Sequence, residues 1–261
     1  QEWYNQYLEK IDKNIKLPET VEKLPLPENR FKIPGKFKQF KIFATRNILS
    51  KLTNKQYLLI NFLEAPLLAV TLGYFTKYIS GTPDNPAAYL FSENENIPAY
   101  LFMCVIVALF IGLTVSAEEI IRDRKILKRE SFLNLSWASY LNSKIVVLFI
   151  LAAIQSISFI VVGNLILGIK WMTLSYFIII FSTVASANLI GLNISSALNS
   201  VVTIYITIPF ILVPQLLFSG VIVSFNKLHR NFMSVEYVPV IGDLMISRWA
   251  YEALSVNQFK N

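Results

Sequence analysis

Long apolar runs fill most of the sequence, and short polar segments separate them. Five runs cover residues 56–78, 99–117, 138–167, 172–197 and 201–225. An α-helix needs about 20 mostly apolar residues to cross a bilayer, and each run is close to that length or longer. Strands of a membrane barrel would instead show short segments of alternating polarity. The pattern therefore predicts an all-α protein, a polytopic bundle of membrane-spanning helices.

Residues 36–52 show a different pattern, in which basic and apolar positions are interleaved. Such a helix lies in the headgroup layer of a cytoplasmic leaflet, although a target helix of a calmodulin-like partner looks the same. Because a span follows directly, we predict an amphipathic connecting helix. Residues 1–35 are polar and contain four prolines, which is typical of a linker. We interpret them as a linker and the tail of a soluble domain.

The most densely charged segment between the first and last apolar runs is Glu118–Glu130. Each charge would cost about 2.5–3.5 kcal/mol at the centre of a bilayer, so the chain must leave the membrane here. Five of the charges are basic, which favours the cytoplasmic side. The loop over residues 79–98 has no Lys or Arg and fits the outside. We therefore expect a cytoplasmic N-terminus, in a bacterial inner membrane or a plasma membrane.

Composition agrees with this class and excludes others. The chain is 54% hydrophobic and only 16% charged, whereas a soluble domain carries about a quarter charged residues. The net charge of +7 comes from basic residues beside membrane ends, and no nucleic-acid recognition module is present. The single Cys104 and single His229 exclude a disulfide, a Cys/His metal site and a His cluster. We expect no metal, no cofactor on this chain and no nucleic-acid partner.

Two features leave the function open at this point. Glu64 lies inside the first apolar run, where an ionisable residue indicates either a functional site or a side chain that reaches the interface. An ion-coupled carrier that uses Glu64 is thus one reading, although such carriers show internal repeats, and none is visible. A scaffold that docks a cytosolic partner through the charged loop is another. No phosphate loop, zinc motif or nucleophile elbow is present.

Residues 226–261 lack an uninterrupted spanning run. Charged residues interrupt the apolar ones throughout this segment. After five spans the chain would be outside, so we predict short external or re-entrant helices here.

Several stretches resemble the membrane domain of ABC type-2 transporters, specifically the White/ABCG-like (type V) exporters. Phe110–Glu130 is similar to the second span of that family running into its coupling region. Phe218-Ser219-Gly220 with Val221-Ile222 matches an FSG-plus-two-apolar pattern, and Ser247–Leu254 with Asn257–Phe259 looks like a signature that precedes a sixth span. The sixth span and the ATPase domain are missing from this sequence. The resemblance therefore implies that the sequence is a fragment, with a further span beyond residue 261.

The resemblance also implies a mechanism and site residues. The chain would be the permease of an ATP-driven exporter of an amphipathic or lipid-like substrate, working by alternating access as a dimer. A fused or separate nucleotide-binding domain would hold ATP and Mg²⁺. The residues implied to contact that domain are Glu118, Glu119, Arg122, Asp123, Arg124, Lys128, Arg129 and Glu130. Those implied to face a substrate cavity are Phe102, Ile106, Phe110, Pro209, Val213 and Leu216. The implied outer gate is Val221 and Ile222.

Overall fold

The computed structural model describes residues 2–12, 34–79, 81–82, 85–86, 88–133, 135–230 and 237–260. The chain divides into two units, Gln1–Ile33 and Pro34–Asn261. Among the described residues of the first unit, the helix α1 (Glu2–Lys10) carries no buried residue. The prolines of the predicted linker before residue 34 lie outside the described residues.

The second unit is a bundle of helices, which begins with α2 (Lys36–Thr53), α3 (Lys55–Thr76), α4 (Ile97–Ala117), α5 (Glu119–Glu130), α6 (Trp137–Leu167) and α7 (Thr173–Ala197). Of these, α3, α4, α6 and α7 follow apolar runs closely, whereas α2 is the connecting helix and α5 the charged segment. In the described part of the chain, four helical stretches are long and apolar enough to cross a membrane: α3, the α4–α5 stretch, α6 and α7. The prediction of an all-α polytopic bundle is confirmed. Between α3 and α4, two-residue strands β1 (Gly81–Thr82) and β2 (Asn85–Pro86) pair antiparallel.

The fifth predicted span is shorter than the apolar run that suggested it. The helix α8 covers Val201–Leu217, and the chain then turns at Gly220, whose φ is +79°. A Cβ on Gly220 would lie 2.8 Å from the ring of Phe225, so this turn requires glycine for both space and backbone conformation. At 17 residues, α8 is at the lower limit for crossing a bilayer.

The last segment folds back onto the bundle. A short helix α9 (Val240–Asp243) precedes α10 (Ile246–Lys260), which packs against α4, α7 and α8. The backbone N–H of Ser247 donates to Oε1 of Gln215 at 3.0 Å, and its hydroxyl donates to the Gln215 carbonyl at 2.6 Å. That carbonyl is among the last four of α8, which have no partner within the helix.

The core lies where α4 packs along α7. Small residues allow the close approach: a Cβ on Gly112 of α4 would lie 2.6 Å from both the Cβ of Ala187 and the carbonyl oxygen of Val184. Small residues serve this purpose between membrane helices, because packing rather than hydrophobic exclusion drives their association. On the other side of α4, the buried Tyr100 packs beside Gly163 of α6.

The amphipathic helix α2 is present, and its packing face is polar. It contacts α6 through Gln39, Phe43 and Asn47, which are buried and spaced four residues apart. Most of its large apolar side chains point away from the bundle and are exposed: Phe37, Ile42, Ile48, Leu49 and Leu52. This outward apolar stripe is typical of a helix lying at a membrane surface.

Candidate coupling site at the charged end of the helix bundle

The charged segment folds as α5, a separate helix that continues from α4 after a break at Glu118. Its first backbone N–H groups have no partner within the helix. Those of Ile120 and Ile121 both donate to Oγ of Ser195 at 3.1 Å, near the end of α7. A hydroxyl from another helix thus caps α5 and fixes where it leaves the bundle.

Glu119 lies at the centre of a buried ion cluster. Only 8% of its side chain is exposed, and its two oxygens bind different lysines. Oε1 accepts from Nζ of Lys51 on α2, and Oε2 accepts from Nζ of Lys144 on α6 at 3.0 Å. One carboxylate therefore joins the helices α2, α5 and α6.

Lys144 is as strongly engaged as Glu119. Its side chain is 6% exposed, and its Nζ also lies 2.8 Å from Oδ2 of Asp123. The same Asp123 oxygen accepts from the Tyr140 hydroxyl at 3.1 Å, and Oδ1 of Asn47 lies 3.3 Å from Nζ of Lys144. Buried charges are tolerated only when paired and hydrogen-bonded, and here each charge has a partner.

A second, more exposed contact binds α2 to the far end of α5. Nη1 of Arg46 donates to both oxygens of Glu130, at 3.0 and 3.1 Å. The guanidinium also stacks over the Phe43 ring at 5.2 Å from its centroid. That ring makes an edge contact with Tyr140, with 5.6 Å between the centroids. Both ends of α5 are thus fastened to the connecting helix.

Other charges of this segment fasten α5 to the opposite side of the bundle. Nη2 of Arg124 donates to the carbonyls of Ser196 and Leu198 at 2.8 and 3.0 Å, and its Nη1 donates to Asn199. Glu118 accepts from the Tyr205 hydroxyl of α8 at 3.0 Å. The helix α5 therefore contacts the end of α7 and the turn after it, and Glu118, just before α5, contacts α8.

A polar cavity of about 280 Å³ lies between α2, α5 and α6 at this ion cluster. Its wall includes Arg46, Lys51, Arg122 and Lys144 opposite Glu119 and Asp123. Cations and acids are therefore mixed on one surface.

The residues predicted to contact an ATPase fall into two groups. Glu118, Glu119, Asp123, Arg124 and Glu130 have partners within this chain. The exposed side chains of α5 are basic: Arg122, Lys125, Lys128 and Arg129. Lys125 was not among the predicted site residues. The free surface of α5 is therefore basic, because its acids face inward.

The predicted cavity residues lie on the faces of α4 and α8 with different exposure. Phe110, Pro209 and Val213 are exposed, and Ile106 and Leu216 are half-buried. Phe102 is 5% exposed and packs edge-on against Tyr251 of α10. Of the predicted gate, Val221 is half-buried and Ile222 is exposed, and both follow the Gly220 turn.

Several partners of the charged segment were missed from the sequence as site residues: Arg46, Asn47, Lys51, Tyr140 and Lys144. Gln39 was missed as well; its amide donates to the Pro34 carbonyl at 2.8 Å and accepts from the Ser136 backbone at 2.7 Å. Gln39, Asn47 and Lys51 are separated by multiples of four residues, so they share one face of α2. The polar residues of that face could have indicated the site, but the apolar residues of α2 drew the interpretation towards the membrane surface.

Spanning helices, an interfacial helix and a charged end define an integral, multi-pass membrane protein. A family model described as ABC-2 type transporter matches residues 38–259. The chain belongs to the ABC-2 type transporter family and is a transmembrane permease component of an ABC transporter. Membrane domains of this family generally work with an ATP-binding partner. A search of curated proteins finds no match.

Proposed function

We propose that this chain is the permease of a White/ABCG-like exporter that moves an amphipathic or lipid-like substrate across the membrane by alternating access. Two copies pair, and α4 and α8 of each face a shared cavity. A nucleotide-binding domain, fused or separate, binds ATP and Mg²⁺ on the cytoplasmic side, where the N-terminus also lies. The observation that supports this proposal best is the ion cluster of Glu119, which ties α5 to α2 and α6.

The cluster explains how a domain outside the membrane moves the spans. The exposed basic residues of α5 suit an acidic surface on the ATPase, since complementary charge favours docking. A displacement of α5 carries Glu119 and Asp123 with it. Their buried partners Lys51 and Lys144 must follow, because an unpaired charge there is costly. Closure of the ATPase therefore reaches α2 and α6 together, and through Tyr205 it also reaches α8.

Reversing the charge of Glu130 is expected to lower substrate-stimulated ATPase activity about fivefold or more, a typical coupling effect. The change places a cation against Arg46 and detaches the end of α5 from α2. The two side chains are 38% and 27% exposed, so the pair contributes at most about 1 kcal/mol to folding. The measurement is ATPase activity of the assembled transporter in lipid vesicles, with folding followed by thermal denaturation.

The matched control is the charge swap Arg46→Glu with Glu130→Arg, which restores an ion pair in the opposite sense. It should recover most of the stimulated activity. If Glu130→Arg alone is stimulated like the wild type, α5 does not transmit closure through Arg46, and this part of the proposal fails.

Replacing Val221 and Ile222 together with alanine is expected to leak substrate or to uncouple ATP hydrolysis from transport. Both residues follow the turn that ends α8, and alanine removes most of the apolar bulk that would close the outer end of the cavity. The measurement is substrate retention in vesicles alongside ATPase activity. The control is Leu174→Ala with Ile178→Ala, which removes similar bulk from the exposed face of α7. Wild-type behaviour of the gate variant would indicate that these side chains contact lipid.

A further inference from the structure

A second cavity, of about 260 Å³, lies between α3, α4 and α8. It adjoins the charged end of the bundle and shares Tyr57, Glu119 and Arg122 with the cavity between α2, α5 and α6. Its lining residues are Tyr57, Ile60, Asn61, Glu64, Phe110, Thr114, Val115, Glu118, Glu119, Arg122 and Tyr205. Three of them are acidic and one is basic, so the wall carries an excess of negative charge.

The acids of this wall differ in how they are satisfied. Glu119 is bound to Lys51 and Lys144, and Glu118 accepts from the Tyr205 hydroxyl with Arg122 3.9 Å away. Glu64 makes no hydrogen bond or ion pair with any residue that the structure describes. Its carboxylate is half-buried in a spanning helix. A carboxylate in that position needs a cation or hydrogen-bond donors.

A neighbouring polar group on α3 has the same requirement. Asn61 is 8% exposed, and its Nδ2 donates to the Tyr57 carbonyl at 2.8 Å. Its Oδ1 is buried and accepts no hydrogen bond from the described residues. Asn61 and Glu64 are three residues apart and therefore share one face of the helix. Both residues line the cavity, but the Asn61 Oδ1 is enclosed within the protein, so Glu64 is the acceptor without a donor that reaches the cavity.

The cavity wall also has an apolar part beside these polar and charged groups. Ile60 and Phe110 belong to it and are 51% and 41% exposed. The volume equals that of about nine water molecules in the liquid. This space suits a polar head and the first carbons of a chain, with the remainder outside the cavity.

We propose that this cavity binds the ammonium group of a cationic amphiphile, with Glu64 accepting its hydrogen bonds and Ile60 and Phe110 contacting its chain. The ammonium group supplies the charge that Glu64 lacks. As a binding site the cavity stands independently of transport. The further statement that a cationic amphiphile is the exported substrate rests on the proposed function.

The test is equilibrium binding of two radiolabelled probes, dodecylamine and dodecanoate, to the assembled transporter in phosphatidylcholine nanodiscs without nucleotide. The probes share an apolar chain and carry opposite charge. We expect saturable binding of dodecylamine and no saturable binding of dodecanoate. Glu64→Gln should weaken dodecylamine binding about tenfold or more, because a charge-assisted hydrogen bond is lost. Glu95→Gln, the same change at an exposed acid of the loop before α4, should bind like the wild type.

Equal binding of both probes by the wild type would overturn the proposal, and so would wild-type affinity in Glu64→Gln. The comparison of the two probes uses only the wild-type protein. It therefore tests the proposal even if the Glu64→Gln variant fails to fold. Because no nucleotide is present, the experiment measures binding alone. Its result therefore does not depend on whether ATP hydrolysis drives transport, and the two proposals can fail independently. Adding phosphatidylethanolamine to the nanodiscs distinguishes two sources of the ammonium group, a membrane lipid and a soluble amphiphile. Competition with dodecylamine identifies a lipid amine, and its absence identifies a soluble amphiphile.

Discussion

Replacing Lys144 with methionine is expected to lower the free energy of unfolding by about 3 kcal/mol, because it leaves the half-buried Asp123 without its cation and the buried Glu119 with only one of its two lysines. Lys144 is 6% exposed and binds Glu119 at 3.0 Å and Asp123 at 2.8 Å. Methionine keeps the length and apolar stem of the side chain. The decrease in the free energy of unfolding therefore measures the effect of removing the charge. Thermal and denaturant unfolding of the purified protein in detergent would measure it.

The control is Lys125→Met, the same substitution at an exposed position of α5, which should change stability by less than about 0.5 kcal/mol. Adding Glu119→Gln to Lys144→Met removes one of the stranded charges. The double variant should therefore lose less than the sum of the two single losses. Additive losses, or a Lys144→Met variant as stable as the wild type, would mean that the cluster is not electrostatically coupled.

Replacing Gly112 with valine is expected to cost about 3 kcal/mol, the upper end of the range for overpacked cores. The first added carbon would lie 2.6 Å from the carbonyl oxygen of Val184. A backbone atom cannot rotate away as a flexible side chain does, so α4 and α7 must separate. Unfolding in detergent measures the loss.

Gly35→Val is the matched control, because a Cβ at Gly35 has no neighbour within 4 Å. Gly112→Ala with Ala187→Gly should recover only part of the stability, since the Val184 carbonyl remains in the way. Full recovery would show that the side chain of Ala187 was the main obstacle. Unchanged stability of Gly112→Val would mean that the two helices have room to move apart.

Hydropathy predicted the helices well because their ends coincide with changes in polarity. The connecting helix was expected over 36–52 and spans Lys36–Thr53, and the charged break after the second span begins at Glu118 as expected. The length of the fifth span was overestimated because hydropathy places an end only where polarity changes. Apolar residues continue past Leu217, and hydropathy does not register the left-handed turn at Gly220.

The site was predictable only as a segment. The density of charge located α5, yet it indicated nothing about which acids face inward. That choice depends on partners far away in the chain: Glu119 meets Lys51, 68 residues earlier, and Lys144, 25 residues later. Periodicity describes one helix at a time, so it cannot register pairs between helices. Glu64 drew attention as a lone charge, but the unsatisfied Asn61 beside it required the packed structure.

The contact between Gln215 and Ser247 has a consequence for how the protein is made. Gln215 is buried at 7% exposure, and its partner is synthesised 32 residues later. Until the ribosome has delivered Ser247, the amide near the end of α8 lacks this partner in a setting that penalises unsatisfied polar groups. The hydrogen bonding of Gln215 is therefore completed only when α10 is present, so α8 depends on a helix that is synthesised after it.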